Sequence, residues 1–334
     1  MARMLVTGAT GFTGGALLRR LLADGHSVAA FVRSSSAAGE IAALGADPRE
    51  VDVRDPEAVE RAMEPYDCVF HLAASYRQEH ADISEFREVN VEGTRHLLLA
   101  SRKAGVGRFV HCSTVGIHGQ IDAPPADESY RPAPNDHYQR SKYEAELLVR
   151  EHLADGLPGA VLRPAAIFGP GDRRLLKLFR AIDRGFFVML GSGRTLYHLV
   201  YIDDLVDAFL LAATREEALG ETFIVAGERA CTLEELVGVI ADALEVPAPG
   251  MRLPLWPVQA AAVLCEWACR PLGLSPPLHR RRVEFFDMDR SFTTEKARRL
   301  LGFTPRVSLE EGIARTVQGY RAQGLLRARS AAAL

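Results

Sequence analysis

A glycine-rich turn near the N-terminus constrains the fold of this chain more than any other feature. The run Thr7–Gly14 follows the apolar segment Met4–Val6 and precedes the leucine-rich segment Ala16–Leu22, which predicts a strand, a tight turn and a helix. Glycine lets the backbone turn sharply and lets a phosphate approach without a Cβ in the way. The first N–H groups of the helix then point towards that phosphate. The Gly-x-x-Gly-x-x-Gly spacing therefore predicts either the pyrophosphate site of a dinucleotide or an ordinary strand-to-helix turn.

Short β-rich segments alternate with helical segments through the first half of the chain. Strands are predicted at Met4–Val6, at Ser27–Arg33, ending at Val51–Val53, at Tyr66–Ala74 with its small-residue exit, and at Arg108–Cys112. This alternation predicts a parallel sheet covered by helices on both faces. We therefore expect an α/β protein with a Rossmann-type doubly wound parallel sheet, mainly in residues 1–165. A smaller C-terminal substrate-binding lobe is expected mainly in residues 166–330, with some elements returning to the first domain.

Composition excludes several classes of function. A net charge of -3 over 334 residues gives no basic field that would favour nucleic acid. The 5 cysteines form no Cys-x-x-Cys pair, which favours a reducing cytosol and argues against structural zinc or a disulfide frame. The longest apolar stretch, Leu253–Cys269, is too short and too interrupted to span a bilayer. We expect a cytoplasmic protein without a metal, in which His111, His118 and His198 are structural or solvent-facing.

An arginine at the end of the second predicted strand bears on the choice of cofactor. This strand end lies beside the adenosine ribose of a bound dinucleotide, where an acid favours NAD and an arginine can pair with the 2′-phosphate of NADP. Arg33 stands here, followed by Ser34–Ser36, and no acid occurs between Val28 and Gly39. NADP(H) is therefore the predicted cofactor, with NAD(H) possible.

A tyrosine and a lysine are spaced for acid–base chemistry on a predicted helix, His137–Leu148. Positions four apart lie on one helix face, so Tyr138 and Lys142 are neighbours. A tyrosine can act near neutral pH only where its phenolate is stabilised, and an adjacent ammonium does this. The pair predicts either a catalytic acid–base or a solvent-facing pair.

In this combination the chain resembles the extended branch of the short-chain dehydrogenase/reductase superfamily. The matching motifs are Thr7–Gly14, Asp52–Val53, His71–Ala74, Asn90–Thr94, Ser113–Thr114, Tyr138–Lys142, Leu162–Pro164, Ile167–Asp172, Val200–Leu205 and Phe292–Glu311. Each motif alone is weak, whereas their ordered combination is highly specific. The resemblance also implies a homodimer, paired through long helices near residues 82–104 and 138–153.

The resemblance implies a role for each matched position. Tyr138 would exchange the proton with the substrate oxygen. Lys142 would lower the pKa of Tyr138 and bond the nicotinamide ribose. Thr114 would bond the substrate oxygen, with Ser113 as the alternative. Arg33 would match the arginine of NADP-using dihydroflavonol-reductase-like members. The other implied cofactor contacts are Gly8, Thr10, Gly11, Phe12, Thr13 and Gly14 at the pyrophosphate, Asp52 and Val53 at the adenine, Leu72, Ala73 and Ala74 near the ribose, and Pro164 and Ile167 at the nicotinamide.

The extended branch contains several chemistries. Sugar-nucleotide 4,6-dehydratases carry an Asp-Glu pair after the threonine, whereas Val115–Gly116 follows Thr114 here, so dehydration is disfavoured. The apolar run Leu253–Leu264 and the segment Pro277–Val283 look like those of 3β-hydroxysteroid dehydrogenases. The predicted function is NADP(H)-dependent interconversion of a ketone and a secondary alcohol on a small, largely apolar substrate of steroid, terpenoid, polyketide or alkyl type. An NAD-dependent sugar-nucleotide epimerase is the alternative enzyme, and a cofactor-binding protein without catalysis is the alternative class.

The apolar segment Leu253–Cys269 is expected to contribute to the substrate lobe. It carries Trp256 and Trp267, and Pro257 can start a helix. On that helix one face collects Val258, Ala261, Ala262, Cys265 and Cys269. The pattern fits a substrate lid, a core helix or a subunit interface.

Overall fold

A seven-stranded parallel sheet forms the centre of the molecule. The computed structural model describes residues 1–76, 83–269 and 284–327. The strands are β1 (Arg3–Thr7), β2 (Ser27–Val32), β3 (Asp47–Glu50), β4 (Cys68–His71), β5 (Phe109–Cys112), β6 (Gly159–Pro164), β7 (Ala166–Phe168), β8 (Met189–Leu190), β9 (Leu196–Tyr197), β10 (Leu199–Tyr201), β11 (Thr222–Val225), β12 (Cys231–Thr232) and β13 (Arg252–Leu253).

Helices cover the sheet and continue through the C-terminal half. They are α1 (Phe12–Ala23), α2 (Ser35–Ala43), α3 (Pro56–Ala62), α4 (Ile83–Arg87), α5 (Gly93–Ala104), α6 (His137–Ala154), α7 (Leu176–Asp183), α8 (Ile202–Thr214), α9 (Leu233–Leu244), α10 (Leu255–Cys269), α11 (Glu295–Leu301) and α12 (Leu309–Ala322). A π-helical turn, Glu88–Glu92, joins α4 to α5, and short 3₁₀ turns lie at Val115–His118, Glu216–Ala218 and Glu284–Phe286.

The strand order of the main sheet is β11-β6-β5-β4-β1-β2-β3. The chain therefore winds outwards from β1 in one direction through β2 and β3, and in the other through β4, β5 and β6. In open parallel sheets of this kind, ligands bind outside the carboxyl ends of the strands, where the strand order reverses. Here the reversal lies between β1 and β4, where Thr7 pairs with His71. The predicted α/β doubly wound sheet is confirmed.

Side chains of the sheet alternate between two apolar layers. Leu5 belongs to the layer beneath α3, α5 and α6, with Leu97 and Val149. Val6 belongs to the opposite layer beneath α1 and α8, with Leu17 and Phe209. Continuous apolar strands are what two covered faces require.

The third apolar cluster lies in the C-terminal half. Phe179 on α7 and Tyr320 on α12 pack edge to face with ring centroids 5.2 Å apart, and Ile240 on α9 belongs to the same cluster. Phe12 at the start of α1 also packs against this cluster. Conversely, β11 and α8 come from the C-terminal half and join the main sheet and its covering layer.

The helix boundaries follow ordinary capping chemistry. The Asp55 carboxylate accepts from the Glu57 and Ala58 N–H groups at the start of α3, and Asp136 accepts from the Gln139 N–H at 2.7 Å at the start of α6. Helix α5 ends at Ala104 and is followed by Gly105, whose φ of 70° suits glycine.

The two edges of the main sheet are finished differently. At β11 the Ile224 N–H donates to the Glu128 carboxylate at 2.8 Å, so a side chain takes the place of a neighbouring strand. At β3 the strand reads Asp-Pro-Arg-Glu, and Pro48 has no N–H to offer.

Several predicted boundaries need correction. The third strand ends at Glu50, so Asp52 and Val53 lie just beyond it. The long predicted helix starting near residue 82 is interrupted by the π-helical turn, and residue 82 itself lies outside the described residues, as does Pro277–Val283. Helix α10 begins at Leu255, two residues before the proline predicted to start it.

The interpretation of α10 as a core helix is wrong, because Ala262 is its single buried residue. On the face that helical spacing groups together, Ala261 is exposed, while Val258, Cys265 and Cys269 are half-buried. Across the described ranges, no helix is long and apolar enough to cross a membrane.

Candidate active site

The carboxyl edge of the sheet gathers the residues that the sequence singles out. Gly8 follows β1, Arg33 follows β2, Leu72 follows β4 and Ser113 follows β5, while Pro164 ends β6. All of these strands are parallel, so their carboxyl ends meet at one edge. Segments far apart in sequence thus lie along a single edge of the sheet.

The glycine turn after β1 leaves room for almost nothing but glycine. Gly8 has φ 76°, and a Cβ on it would stand 2.7 Å from the Ala73 nitrogen. A Cβ on Gly14 would stand 2.2 Å from the Gly8 carbonyl oxygen. The Gly11 N–H donates to that same oxygen at 3.0 Å, which closes the turn. These contacts explain why glycine is required at Gly8 and Gly14.

The start of α1 suits an anion. Its N-cap residue, Gly11, supplies no side-chain cap to the first helical N–H groups. Beside it Thr10 is exposed, whereas Phe12 and Thr13 are half-buried. Uncapped N–H groups at a helix N-terminus bind phosphate, so the turn fits the pyrophosphate of a dinucleotide.

Charged side chains lie beyond the carboxyl ends of β2 and β3. Arg54 holds Asp52 through two of its nitrogens, one of them at 2.6 Å. Hydrogen bonds from Arg54, with a further contribution from the charge of Arg33, lower the pKa of Asp52. Arg33 is exposed at the end of β2, and Val53 is buried against Gly93. The end of β2 therefore presents an exposed guanidinium beside a carboxylate that is paired with another arginine.

A buried chain of hydrogen bonds fixes the segment after β4. Thr94 donates to the Asn90 carbonyl at 2.6 Å, so its oxygen accepts from His71 Nε2–H at 2.8 Å. His71 Nδ1 then accepts from Thr7 at 2.8 Å, and the Thr7 oxygen accepts from the Ala73 N–H at 3.2 Å. Because both imidazole nitrogens are committed and burial lowers the pKa of His71 to about 3, this ring stays neutral. Leu72 and Ala73 lie half-buried and Ala74 exposed along this segment.

Asn90, in the π-helical turn, ties three segments together. Its amide oxygen accepts from the Ser75 N–H at 2.7 Å, and its amide nitrogen donates to the Ser75 carbonyl at 3.2 Å and to the Ser141 hydroxyl at 2.9 Å. Ser141 in turn donates to the Tyr138 carbonyl at 2.8 Å. These hydrogen bonds therefore fix the position of the loop after β4 relative to the start of α6.

Tyr138 and Lys142 occupy successive turns of α6. The Tyr138 ring is half-buried and packs edge to face with Tyr76, with ring centroids 4.8 Å apart. Lys142 is buried, and its Nζ donates to the Cys112 carbonyl at 2.7 Å. Burial lowers the pKa of Lys142, while Cys112 and Glu146 act in the opposite direction. The predicted solvent-facing alternative for this pair does not hold for the lysine.

The two hydroxyls after β5 are not equivalent. Ser113 is buried and donates to the Glu146 carboxylate at 2.6 Å, and Glu146 is itself paired with Arg163 at 2.6 Å. Thr114 is half-buried, and its oxygen accepts from the Gly116 N–H at 3.0 Å. A hydroxyl has one hydrogen and two lone pairs, so Thr114 keeps a hydrogen that it can donate to a substrate oxygen. Ser113 has already given its hydrogen to a carboxylate.

The two residues predicted to lie at the nicotinamide, Pro164 and Ile167, are in the consecutive strands β6 and β7. Pro164 is buried at the end of β6, and Ile167 is half-buried within β7. In the part of the chain that the structure describes, no group of three or more acidic, histidine or cysteine side chains is arranged to hold a metal ion.

Some residues at the site were missed or misjudged from the sequence. Asn90 belongs to a recognised motif but carried no predicted role, and its bridging contacts depend on the π-helical turn, which has no sequence signal. The histidines His111, His118 and His198 are all buried, so the solvent-facing option for them is wrong. In the structure His71 and His111 are paired on the adjacent strands β4 and β5.

Comparison with known proteins agrees with this geometry. The model of the NAD dependent epimerase/dehydratase family matches residues 4–226. The 2-alkyl-3-oxoalkanoate reductase of Stenotrophomonas maltophilia (strain K279a) is 31% identical over 94% of this chain and 98% of its own length. A 4-hydroxy-2-methyl-3-oxo-4-farnesyl-3,4-dihydroquinoline-1-oxide ketoreductase of Stigmatella aurantiaca is 33% identical, over 93% of this chain and 94% of its own.

A solved structure of an epimerase shows the same fold. The UDP-glucose 4-epimerase of Thermus thermophilus, determined in complex with NAD, matches with a TM-score of 0.73 and 26% identity, over 96% of this chain and 99% of that one. The chain belongs to the NAD-dependent epimerase/dehydratase family. It is an NAD(P)-dependent enzyme of the extended short-chain dehydrogenase/reductase type, a group whose members include reductases, dehydrogenases and epimerases.

Proposed function

We propose that this enzyme interconverts a ketone and a secondary alcohol on a largely apolar skeleton, using NADP(H). The observation that supports the proposal is the hydrogen bond from Lys142 on α6 to the Cys112 carbonyl at the end of β5. It attaches the part of α6 that carries Tyr138 and Lys142 to the strand end that Thr114 follows, and Thr114 retains a hydrogen to donate. This set serves proton transfer at a carbonyl or hydroxyl oxygen. A cofactor-binding protein without catalysis would not need it.

Each of these residues has a distinct task in the proposed reaction. A bound dinucleotide supplies or accepts the hydride at the carbon atom. Thr114 donates a hydrogen bond to the substrate oxygen, and Tyr138 gives or takes the proton there. The buried ammonium of Lys142 stabilises the Tyr138 phenolate and would hold the nicotinamide ribose of a bound dinucleotide. Ser113, committed to Glu146, positions the strand end instead.

The substrate class is argued from relatives and from the C-terminal half. The two curated relatives described above are named for reduction of oxo or keto groups, and those names include alkyl and farnesyl groups. Helix α10 adds a long apolar segment with two tryptophans to the lobe proposed to bind substrate. Apolar walls with a few polar groups are the usual composition of a small-molecule site.

The NADP preference is argued from Arg33. It is exposed at the end of β2, the position at which a 2′-phosphate would lie, and Asp52 is already paired with Arg54. An acid that would repel the phosphate is therefore absent from the end of β2 itself, and the Asp52 carboxylate is paired with Arg54.

A substrate panel tests the function. Purified enzyme with NADPH is offered alkyl, terpenoid and steroid ketones and, in parallel, UDP-glucose and UDP-galactose. Oxidation of NADPH with the ketones, lost in Tyr138→Phe, supports the proposal. Interconversion of the sugar nucleotides by protein that retains NAD, with no ketone reduced, would establish the epimerase alternative, for which the Thermus thermophilus relative is the precedent.

We also propose a division of labour and a homodimer. Residues 1–165 mainly bind the dinucleotide and residues 166–330 mainly bind the substrate. The dimer pairs through α5 and α6, where Leu99 and Leu147 are 54% and 44% exposed. Contact between the α5 and α6 helices of two subunits would bury both leucines. Sedimentation that shows a monomer at micromolar concentration contradicts the dimer.

A further inference from the structure

We propose that His111 is a positioning residue, whose neutral imidazole holds the ammonium group of Lys142 in place beneath the active site. The inference rests on the proposed roles of Tyr138 and Lys142. His111 lies on β5 immediately before Cys112, and it is fully buried. Its Nε2 lies 3.5 Å from Lys142 Nζ, which also donates to the Cys112 carbonyl at 2.7 Å. Two consecutive residues of one strand thus supply both acceptors that surround the ammonium in the described structure.

The hydrogen-bond pattern fixes which nitrogen of His111 carries the proton. An ammonium has only hydrogens to offer, so His111 Nε2 must accept and the proton must sit on Nδ1. The neighbouring ring of His71, with its centroid 5.1 Å away, is neutral because Thr7 and Thr94 occupy its two nitrogens. Burial, with the nearby Lys142 charge, lowers the pKa of His111 well below its ordinary value. Neither imidazole therefore repels the ammonium.

Stability of the fold does not account for this histidine. Among the described residues, His111 Nδ1 has no hydrogen-bond partner. An unsatisfied buried N–H destabilises a folded protein, whereas an apolar ring of similar size would not. His111 therefore costs stability at a place where phenylalanine would pack without that cost. Its one favourable polar contact is the one to Lys142.

The other groups facing Lys142 do not replace that contact. Glu146 lies on the same helix but is committed to Arg163 and to the Ser113 hydroxyl. Burial raises the pKa of the Cys112 thiol to about 11, so it is uncharged, and His71 is neutral. Tyr138, one turn away on α6, is the group that benefits from the positive charge. Without the acceptor at His111, burial disfavours the Lys142 ammonium more strongly and the phenolate of Tyr138 loses its support.

A matched pair of variants tests this. His111→Phe keeps an aromatic ring but removes the acceptor, whereas His111→Gln keeps an acceptor oxygen. The readout is the pH titration of phenolate absorbance in enzyme saturated with NADP⁺, with the Tyr138 contribution defined by difference from Tyr138→Phe. We expect His111→Phe to raise the apparent pKa of Tyr138 by about one unit and His111→Gln to leave it nearly unchanged.

The outcomes separate a positioning role from a structural one. Equal shifts in both variants, or none in either, would overturn the inference. Thermal unfolding provides the second readout. His111→Phe removes an unsatisfied N–H, which stabilises the fold, and an acceptor of the buried ammonium, which destabilises it, so only a small change in unfolding temperature is expected. If His111→Phe does not fold, His111→Leu serves the same titration. If Tyr138→Phe removes no titrating phenolate from the wild-type spectrum, the proposed function fails rather than the role of His111.

Discussion

The carboxyl edge of the sheet and helix α10 both stand out in the sequence, the first by its glycine motif and the second by its apolar composition. They differ in how strictly their contacts limit the residue type at each position. At the sheet edge, a single added carbon on Gly8 or Gly14 would meet backbone atoms at 2.7 and 2.2 Å. On α10, Trp256 and Trp267 are 72% and 77% exposed. Backbone contacts therefore permit only glycine at these two positions of the sheet edge. The exposed positions of α10 have no comparable steric restriction.

The orientation of α10 sharpens this contrast. Its Gln259 donates to Asp287 at 2.9 Å, so a polar residue of the helix is turned towards the protein while both tryptophans are turned away. An ordinary surface helix has the opposite arrangement. Composition therefore identified an unusual segment correctly, but only contacts can say what an apolar helix packs against.

The largest expected effect tests the sheet edge. Tyr138→Phe keeps the ring and its packing against Tyr76 but removes the exchangeable proton, so turnover should fall by about 10²–10⁴-fold. Tyr143→Phe, on the same helix, is the matched control and should retain activity. Steady-state assays of both variants with the best ketone of the panel measure this. Near-normal turnover of Tyr138→Phe would remove the mechanism.

A second test concerns the cofactor at the same edge. Arg33→Ala removes the guanidinium proposed to pair with a 2′-phosphate, a charge-assisted contact worth about 1.5–3 kcal/mol, or roughly tenfold to a hundredfold in affinity. The dissociation constants of NADP⁺ and NAD⁺ are measured for both proteins. The NAD⁺ value is the internal control and should change little. If wild-type enzyme binds NAD⁺ more tightly than NADP⁺, the preference is assigned wrongly.

A third test asks whether glycine is required by space alone. Gly14→Ala places a Cβ against the Gly8 carbonyl and should cost about 1–3 kcal/mol in the free energy of unfolding, with weaker dinucleotide binding. Gly39→Ala is the control, because Gly39 lies inside α2 with no atom within 4 Å of an added Cβ. It should stabilise the protein by about 1 kcal/mol or less. Denaturant unfolding measures the free energy of unfolding of both variants. Equal effects of the two substitutions would contradict the steric explanation for Gly14.

The smallest expected change in stability is at α10. Trp256→Ser and Trp267→Ser should alter the free energy of unfolding by no more than about 0.5 kcal/mol, because both rings are largely exposed. Phe186→Ser, at another exposed aromatic residue, is the control. If the helix closes over the substrate, the tryptophan variants raise KM for apolar ketones while the control does not. A large loss of stability would show that this face is covered by protein.

The sequence predicted the features that are local or carried by an ordered set of motifs. The glycine turn, the strand–helix alternation and the Tyr138–Lys142 spacing are of this kind, because each follows from backbone geometry over a few residues. It did not predict the bridge made by Asn90, since a π-helical turn has no simple periodicity. It also did not predict the burial of His111, because one histidine in a strand has the same appearance facing water or a lysine.

The finished edges of the main sheet have a consequence for self-association. An open strand edge offers N–H and C=O groups on which another chain can build, which is a route to aggregation. Here the Glu128 carboxylate occupies the Ile224 N–H at one edge, and Pro48 interrupts the donors at the other. Two copies therefore gain little by joining their sheets edge to edge. Helical faces are left as the surfaces through which a stable pair of subunits would form, and replacement of Glu128 by alanine would expose a template for disordered assembly.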